Sequence, residues 1–266
     1  MKKLILMVLI GLGSSVFAVT NDFHEGAEAK QGISFYNANY AMLGVDPIVE
    51  MKLQFSFKYR FVEPGTFDGQ WSKPVNNLFF AYTQKMLWDL EKNSSPYEDA
   101  NLDSSFSPEL FWMYRDLFPI SEKATMDLQF GYQHESNGRA GESERTWDRL
   151  YVQPSWTWGE TGDWQAVSML KIWIPVGVGE EMDDIGDYFG PGEFWLKVGQ
   201  HDGMMLETML RKGSNDWNGA VELSASYPVR SLNLFVYGQV FYGYGETLRL
   251  YDQETTSYRL GISFSR

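Results

Sequence analysis

The 266-residue chain has no cysteine, only three histidines, and 22 basic side chains against 35 acidic ones. Without cysteine there is no disulfide scaffold. A formal charge of -13 repels duplex nucleic acid, so no nucleic-acid partner is expected. Long apolar runs are missing too: a membrane-crossing helix needs roughly 18 or more consecutive apolar residues, and the best run extends only from Leu4 to Gly13. Disorder is excluded from the other side, because 44% hydrophobic and 16% aromatic residues are far too many for an unfolded chain.

The first eighteen residues form a separate object. Lys2 and Lys3 precede the apolar run, and Val16, Phe17 and Ala18 follow it with small residues at the first and third positions. This is the pattern of a secretory signal peptide, residues 1–18, cleaved after Ala18. Residues 19–266 then form one exported domain, since no repeat, linker or shift of composition divides them.

The exported part is rich in Tyr, Trp, Phe and Gly, and its organising signal is a period of two. Met51, Leu53, Phe55, Phe57, Tyr59 and Phe61 alternate with Lys52, Gln54, Ser56, Lys58 and Arg60. Similar alternation marks Ile33 to Leu43, Leu78 to Trp88, Leu110 to Phe118, Met126 to Ser136, Asp148 to Trp158, Phe194 to Val198, Val221 to Tyr227, Leu232 to Val240 and Tyr258 to Phe264, with weaker segments near Val167 and Met205. That makes about twelve strands and no competing helical period. A soluble sandwich would alternate as well, but three features favour an all-β transmembrane antiparallel barrel with a polar lumen. Tyr40, Trp88, Trp156, Trp158 and Tyr242 fall near segment ends, where aromatic girdles belong. The last strand is the apolar dyad Leu260, Ile262, Phe264. Glu63 to Pro74, Glu91 to Pro108 and Gly177 to Gly192 are polar, acidic and punctuated by Gly and Pro, as water-facing loops should be. Lys58, Arg60 and Lys85 then point to the lumen and fill it. The acidic run Glu180, Glu181, Asp183, Asp184 reads as solvated loop, with a second ion site as the alternative.

Between Met126 and Trp158 the lipid-side parity carries unexpected residues. Met126, Leu128, Phe130 and Tyr132 are followed on the same face by His134 and Ser136. On the next segment Leu150, Val152, Pro154, Trp156 and Trp158 share a face with Asp148. A serine, a histidine and a carboxylate thus lie on the lipid-facing side of neighbouring strands, near the loop 137–146, where polar groups are costly. Such a trio either caps a hairpin at the water interface or performs nucleophilic catalysis, with a base activating the serine and a carboxylate orienting the base.

Those residues carry a resemblance. The stretch Tyr132-Gln133-His134-Glu135-Ser136-Asn137-Gly138-Arg139, followed by Ser143-Glu144-Arg145-Thr146-Trp147-Asp148-Arg149-Leu150-Tyr151, resembles the signature of the outer-membrane phospholipase A family. Tyr82-Thr83-Gln84-Lys85, Ser94-Ser95-Pro96-Tyr97, Ala225-Ser226-Tyr227-Pro228 and Gly243-Tyr244-Gly245-Glu246 extend it along nearly the whole exported chain. The resemblance implies an antiparallel barrel of about twelve strands in the outer membrane of a Gram-negative-type envelope, with its active site on the outer wall at the outer leaflet. It implies hydrolysis of acyl esters of phospholipids and lysophospholipids, with Ser136 as nucleophile, His134 as base, position 148 as the orienting residue and the Gly138 N–H as oxyanion-hole donor. Well-known members have Asn where this chain has Asp148, and a carboxylate there is compatible with activity.

The resemblance also implies a calcium ion, Ca2+, in a site completed when two barrels pair as a reversible, activating homodimer. The Arg139 carbonyl and Glu144 match ligands of one protomer, and Ser94 matches a ligand given by the partner. Glu144 stands where the family typically has Ser, and it is either a ligand or a solvated charge paired with Arg145. Gln84, mid-strand on the lipid face, matches a dimer contact. His24 and His201 match nothing and read as incidental. The competing function is a catalytically inactive, passive or pore-type barrel on the same scaffold. An outer-membrane protease is disfavoured, because such barrels set acidic pairs in the mouth.

Overall fold

The computed structural model describes residues 31–45, 49–63, 65–67, 72–90, 101–121, 124–159 and 163–266. The expected signal peptide, His24 and Ser94 lie outside the described residues. The strands are β1 (Gly32–Phe35), β2 (Asn39–Val45), β3 (Val49–Arg60), β4 (Leu78–Asp89), β5 (Asn101–Ser121), β6 (Ala124–Ser136), β7 (Thr146–Trp158), β8 (Trp164–Val178), β9 (Gly192–Gln200), β10 (Met205–Lys212), β11 (Gly219–Val229), β12 (Leu234–Tyr244) and β13 (Glu254–Ser265). Two short helices, α1 (Ser72–Asn76) and α2 (Ile185–Phe189), lie in connections.

Each strand pairs antiparallel with its neighbours, and the sheet closes because β13 pairs with β2 and β3 pairs with both β2 and β4. β1 and β2 lie along the same edge of β3, at Phe57 to Arg60 and at Val49 to Gln54 respectively. They are two halves of one stave broken at 36–38, so the thirteen segments make the expected twelve-stranded barrel. Closure pairs both edges of β2 to β13, and among the described residues only the short β1 keeps one edge unpaired; open edges are not tolerated where a sheet meets lipid.

The alternation seen in the sequence sorts the two faces. On β3, Lys52, Ser56 and Lys58 are buried while Phe55 is exposed, and across the barrel Leu150, Val152, Leu223, Val240 and Leu260 are exposed in the same way. The interior is a polar network. Arg259 pairs with Glu50 and Glu246, Lys52 Nζ donates to Gln239 Oε1 at 2.7 Å, and Lys171 Nζ donates to Gln133 Oε1 at 2.8 Å. Paired this way, the charges meet their solvation needs inside the barrel.

The two ends differ. At one end the connections 122–123, 159–163, 201–204 and 230–233 are short, with 61–77, which holds α1, as the exception, and this end also holds the start of β1 and the end of β13. The other end carries 90–100, 137–145, 179–191 and 245–253. Short turns face the periplasm and long loops the exterior in such barrels, so the 137–145 loop belongs to the outer end.

Three expectations are corrected. Tyr40 is no girdle residue: it points inward, is 6% exposed, and stacks on Tyr237 with ring centroids 5.4 Å apart. The stretch from Asn101 to Pro108 is the first part of β5 rather than loop; Asp103, Ser105 and Ser107 turn into the lumen, and polar inward residues mimic loop composition. Gly177 to Gly192 is not simply water-facing either. β8 runs through Val178, and beyond it the acids stay exposed while Met182, Ile185 and Phe189 turn inward against Trp147, Trp173, Leu248 and Tyr251. The result is an apolar plug in the outer mouth. Asp184 accepts the Tyr251 hydroxyl, and no group of three metal-binding side chains converges among the described residues.

Candidate active site

Strand β6 presents Phe130, Tyr132, His134 and Ser136 outward, while Gln129, Gln133 and Glu135 face the lumen. On β7 Asp148 lies outward directly opposite His134, and Thr146 lies opposite Ser136. Opposed residues on adjacent strands have Cβ atoms only about 5 Å apart, so register alone brings imidazole and carboxylate together. His134 Nδ1 donates to Asp148 Oδ1 at 2.8 Å. A carboxylate only accepts, which fixes the proton on Nδ1 and leaves Nε2 as the basic nitrogen.

Ser136 follows His134 on the same face. The hydrogen bond from its hydroxyl to the imidazole is not made in this conformation; such catalytic bonds commonly tighten only with substrate. Asp148 Oδ1 also accepts the Tyr132 hydroxyl at 2.5 Å. Behind the pair, on the lumen side, Glu135 accepts from Arg149 at 2.7 Å, from Ser105 at 2.8 Å and from the Trp147 indole at 3.2 Å. The strand pair carrying His134 and Asp148 is thereby pinned from within.

The loop 137–145 is organised by Asn137, a buried residue that the sequence did not single out. Its Oδ1 accepts from the Arg139 and Arg145 N–H groups at 3.2 and 3.0 Å, and its Nδ2 donates to the Ser143 carbonyl at 2.9 Å. Gly138 turns this loop with φ of 69°, and a Cβ there would come within 2.8 Å of the Phe106 ring. Both facts require glycine. Arg145 donates to the carbonyls of Glu142 and Glu144 rather than to a carboxylate, so the expected alternative of a Glu144–Arg145 ion pair is not formed. Glu144 is exposed, and among the described residues its carboxylate has no partner.

Gly177 is a second residue missed by sequence reading. It sits opposite Asp148 on β8, beside a register shift, and a Cβ there would lie 2.8 Å from Asp148 Oδ2. The missing side chain is the space the carboxylate occupies. Gln84 lies outward on β4 opposite Phe106 of β5, which in turn lies opposite Ser136. The three are level across adjacent strands, so Gln84 is about 10 Å from the serine. Its Oε1 accepts the Tyr82 hydroxyl at 3.2 Å, and its amide N–H groups have no partner among the described residues.

Fold and site together define a membrane β-barrel that carries a histidine–carboxylate pair and a serine on its lipid-facing wall. Residues 25–264 match the model of the phospholipase A1 family, and the chain belongs to that family. Phospholipase A1 of Salmonella typhimurium is 34% identical over 194 residues, which cover 71% of this chain and 62% of that protein. The matched stretch therefore spans a little under two thirds of that relative's length. Among solved structures, outer membrane phospholipase A from Escherichia coli superposes with a TM-score of 0.71 at 26% identity, covering 87% of this chain and 97% of that one. A Salmonella typhi outer membrane phospholipase dimer with bound calcium gives 0.72 at 24% identity, covering 89% and 94%. The protein is an outer-membrane barrel of this fold.

Proposed function

We propose that the chain is a calcium-dependent serine phospholipase that hydrolyses acyl esters of phospholipids and lysophospholipids at the outer leaflet. The observation that carries this is the His134–Asp148 bond of 2.8 Å on a wall whose exposed side chains are mostly large apolar ones. Exposed polar side chains at such a surface need a use, and this pair leaves Nε2 free beside Ser136.

In the proposed reaction the Ser136 hydroxyl attacks the ester carbonyl while His134 Nε2 takes its proton. Asp148 holds the imidazole in the required tautomer and stabilises its positive charge. The tetrahedral oxyanion is met by the Gly138 N–H. As the intermediate collapses, His134 returns the proton to the departing glycerol oxygen and an acyl-serine remains. Water, deprotonated by the same imidazole, then releases the fatty acid.

Calcium favours hard oxygen donors, and the Arg139 carbonyl and the unpartnered Glu144 carboxylate are of that kind, in a loop that Asn137 holds in shape. They are fewer than the roughly six to eight oxygens the ion takes; Ser94 of a second copy, water and lipid would complete the set. The bound ion would add positive charge where the oxyanion develops. Pairing of two barrels about Gln84 is part of the same proposal, supported by that amide's unsatisfied N–H groups and its level with Ser136. The pore alternative is opposed by the apolar plug and the charge-paired lumen.

The test is fatty-acid release from phospholipid in detergent micelles by the refolded protein. Wild type should be active with calcium, and both chelation and Ser136→Ala should abolish release. Release that survives chelation would remove calcium from the proposal, and no release from folded wild type would overturn the hydrolase.

A further inference from the structure

Tyr132 stands on the outward face beside the proposed triad, and the mechanism above makes no use of it. It precedes His134 by two residues on β6 and is diagonal to Asp148 on β7. An outward tyrosine near a barrel rim ordinarily sends its hydroxyl toward the head groups. This one donates to Asp148 Oδ1, the oxygen that also accepts His134 Nδ1. The second carboxylate oxygen faces Gly177 and has no donor among the described residues.

The consequence is geometric. A carboxylate bound by one donor and bordered by a glycine rotates about its Cβ–Cγ bond at little cost, because that torsion is broad. A second donor converging on the same oxygen from the other strand removes that freedom. Among the described residues no other charged side chain is placed to do this on the outer wall. β5 offers Phe106, Pro108 and Leu110 there, and β8 offers Ile174 and Gly177. The Glu135–Arg149 pair is on the lumen side, and Arg139, Glu142, Glu144 and Arg145 belong to the loop. An asparagine at 148 would accept both bonds through its carbonyl oxygen, so the arrangement suits either residue.

We infer that Tyr132 is a positioning residue for the proposed hydrolase: its hydroxyl holds the residue-148 oxygen toward His134 Nδ1, and through it fixes the imidazole that activates Ser136. This rests on the function proposed above, and its test separates the two. Steady-state fatty-acid release is measured for wild type, Tyr132→Phe, Asp148→Ala and the double variant, all folded in micelles. In parallel, the imidazole Nδ1–H proton resonance is followed by NMR in Ser136→Ala protein with and without Tyr132→Phe.

Tyr132→Phe is expected to lower kcat roughly tenfold with KM unchanged, and to have no further effect once Asp148 is gone. The resonance should move when the tyrosine hydroxyl is removed. A Tyr132→Phe protein with wild-type kcat, or one whose loss persists undiminished in the Asp148→Ala background, would make Tyr132 a packing residue and overturn the inference. If wild type releases no fatty acid, the hydrolase proposal fails separately. The NMR line then still decides the positioning, an unmoved resonance counting against it.

Discussion

Replacing Gly177 by alanine tests whether the geometry at Asp148 matters for chemistry rather than for folding. The new methyl would begin 2.8 Å from Asp148 Oδ2, where ordinary contact starts at 3.4 Å. The oxygen must therefore retreat by about 0.6 Å, and a rigid carboxylate turning about Cγ carries Oδ1 a comparable distance. Starting from 2.8 Å to His134 Nδ1, a displacement of that size reaches the outer limit of a useful hydrogen bond. Misplacement on this scale costs roughly 100-fold in rate. Stability should hardly change, because the group that yields is the end of a side chain and the added methyl faces lipid. The assay is fatty-acid release by folded Gly177→Ala protein, with heat-dependent gel mobility and Tm confirming the barrel. Wild-type turnover in a properly folded variant would refute the reasoning. So would an equal loss in an Asp148→Ala background, where no carboxylate remains to be displaced.

Asp148→Asn should keep activity within about tenfold of wild type, since the amide oxygen can accept from both Tyr132 and His134, whereas Asp148→Ala should lose about a hundredfold or more; steady-state kinetics on the two variants decides this. Asn137→Ala removes three loop bonds, each of about 1 kcal/mol. It should raise the calcium concentration needed for half-maximal release about tenfold while leaving the Tm of the barrel nearly unchanged. In planar bilayers the wild-type protein should give no stepwise conductance, because Met182, Ile185 and Phe189 close the mouth and Arg259, Glu50 and Glu246 fill the interior. Steady open steps would contradict a filled barrel.

The barrel was legible in the sequence because a membrane barrel is inside out: every strand needs apolar residues on alternate positions, and Met51 to Phe61 shows this without interruption. The same regularity exposed His134, Ser136 and Asp148, which break the parity of their strands. What stayed hidden depended on information that parity does not hold. Tyr40 fits either face, since a lumen stacks tyrosines as readily as a girdle displays them. The first half of β5 resembles loop because its inward positions are small and polar. Met182, Ile185 and Phe189 are spaced by three and then four, a helical signal that was present among the acids and could have been read. Gly177 was out of reach, because its place beside Asp148 follows from a register shift between β7 and β8. For Tyr132 the face was visible, but the direction of its hydroxyl was not.

The convexity of the wall explains why, under the proposed function, assembly should control activity. Enzymes that work in clefts surround their reacting groups with protein and exclude water by folding over them. Here the His134 and Asp148 side chains are 35% and 30% exposed on an outward-curving sheet, so the described residues of the same barrel leave them partly uncovered. Oxyanion stabilisation depends on fixed donors in a dry, low-dielectric setting, which a single convex surface cannot provide where it meets the watery head-group layer. A second barrel seated against β4 to β6 would supply the missing wall, satisfy the Gln84 amide and bring Ser94 to the loop that holds Arg139 and Glu144. Each chain then carries all the covalent chemistry but only part of the enclosure, and separating the two copies leaves a site whose serine and base are intact and whose surroundings are wrong.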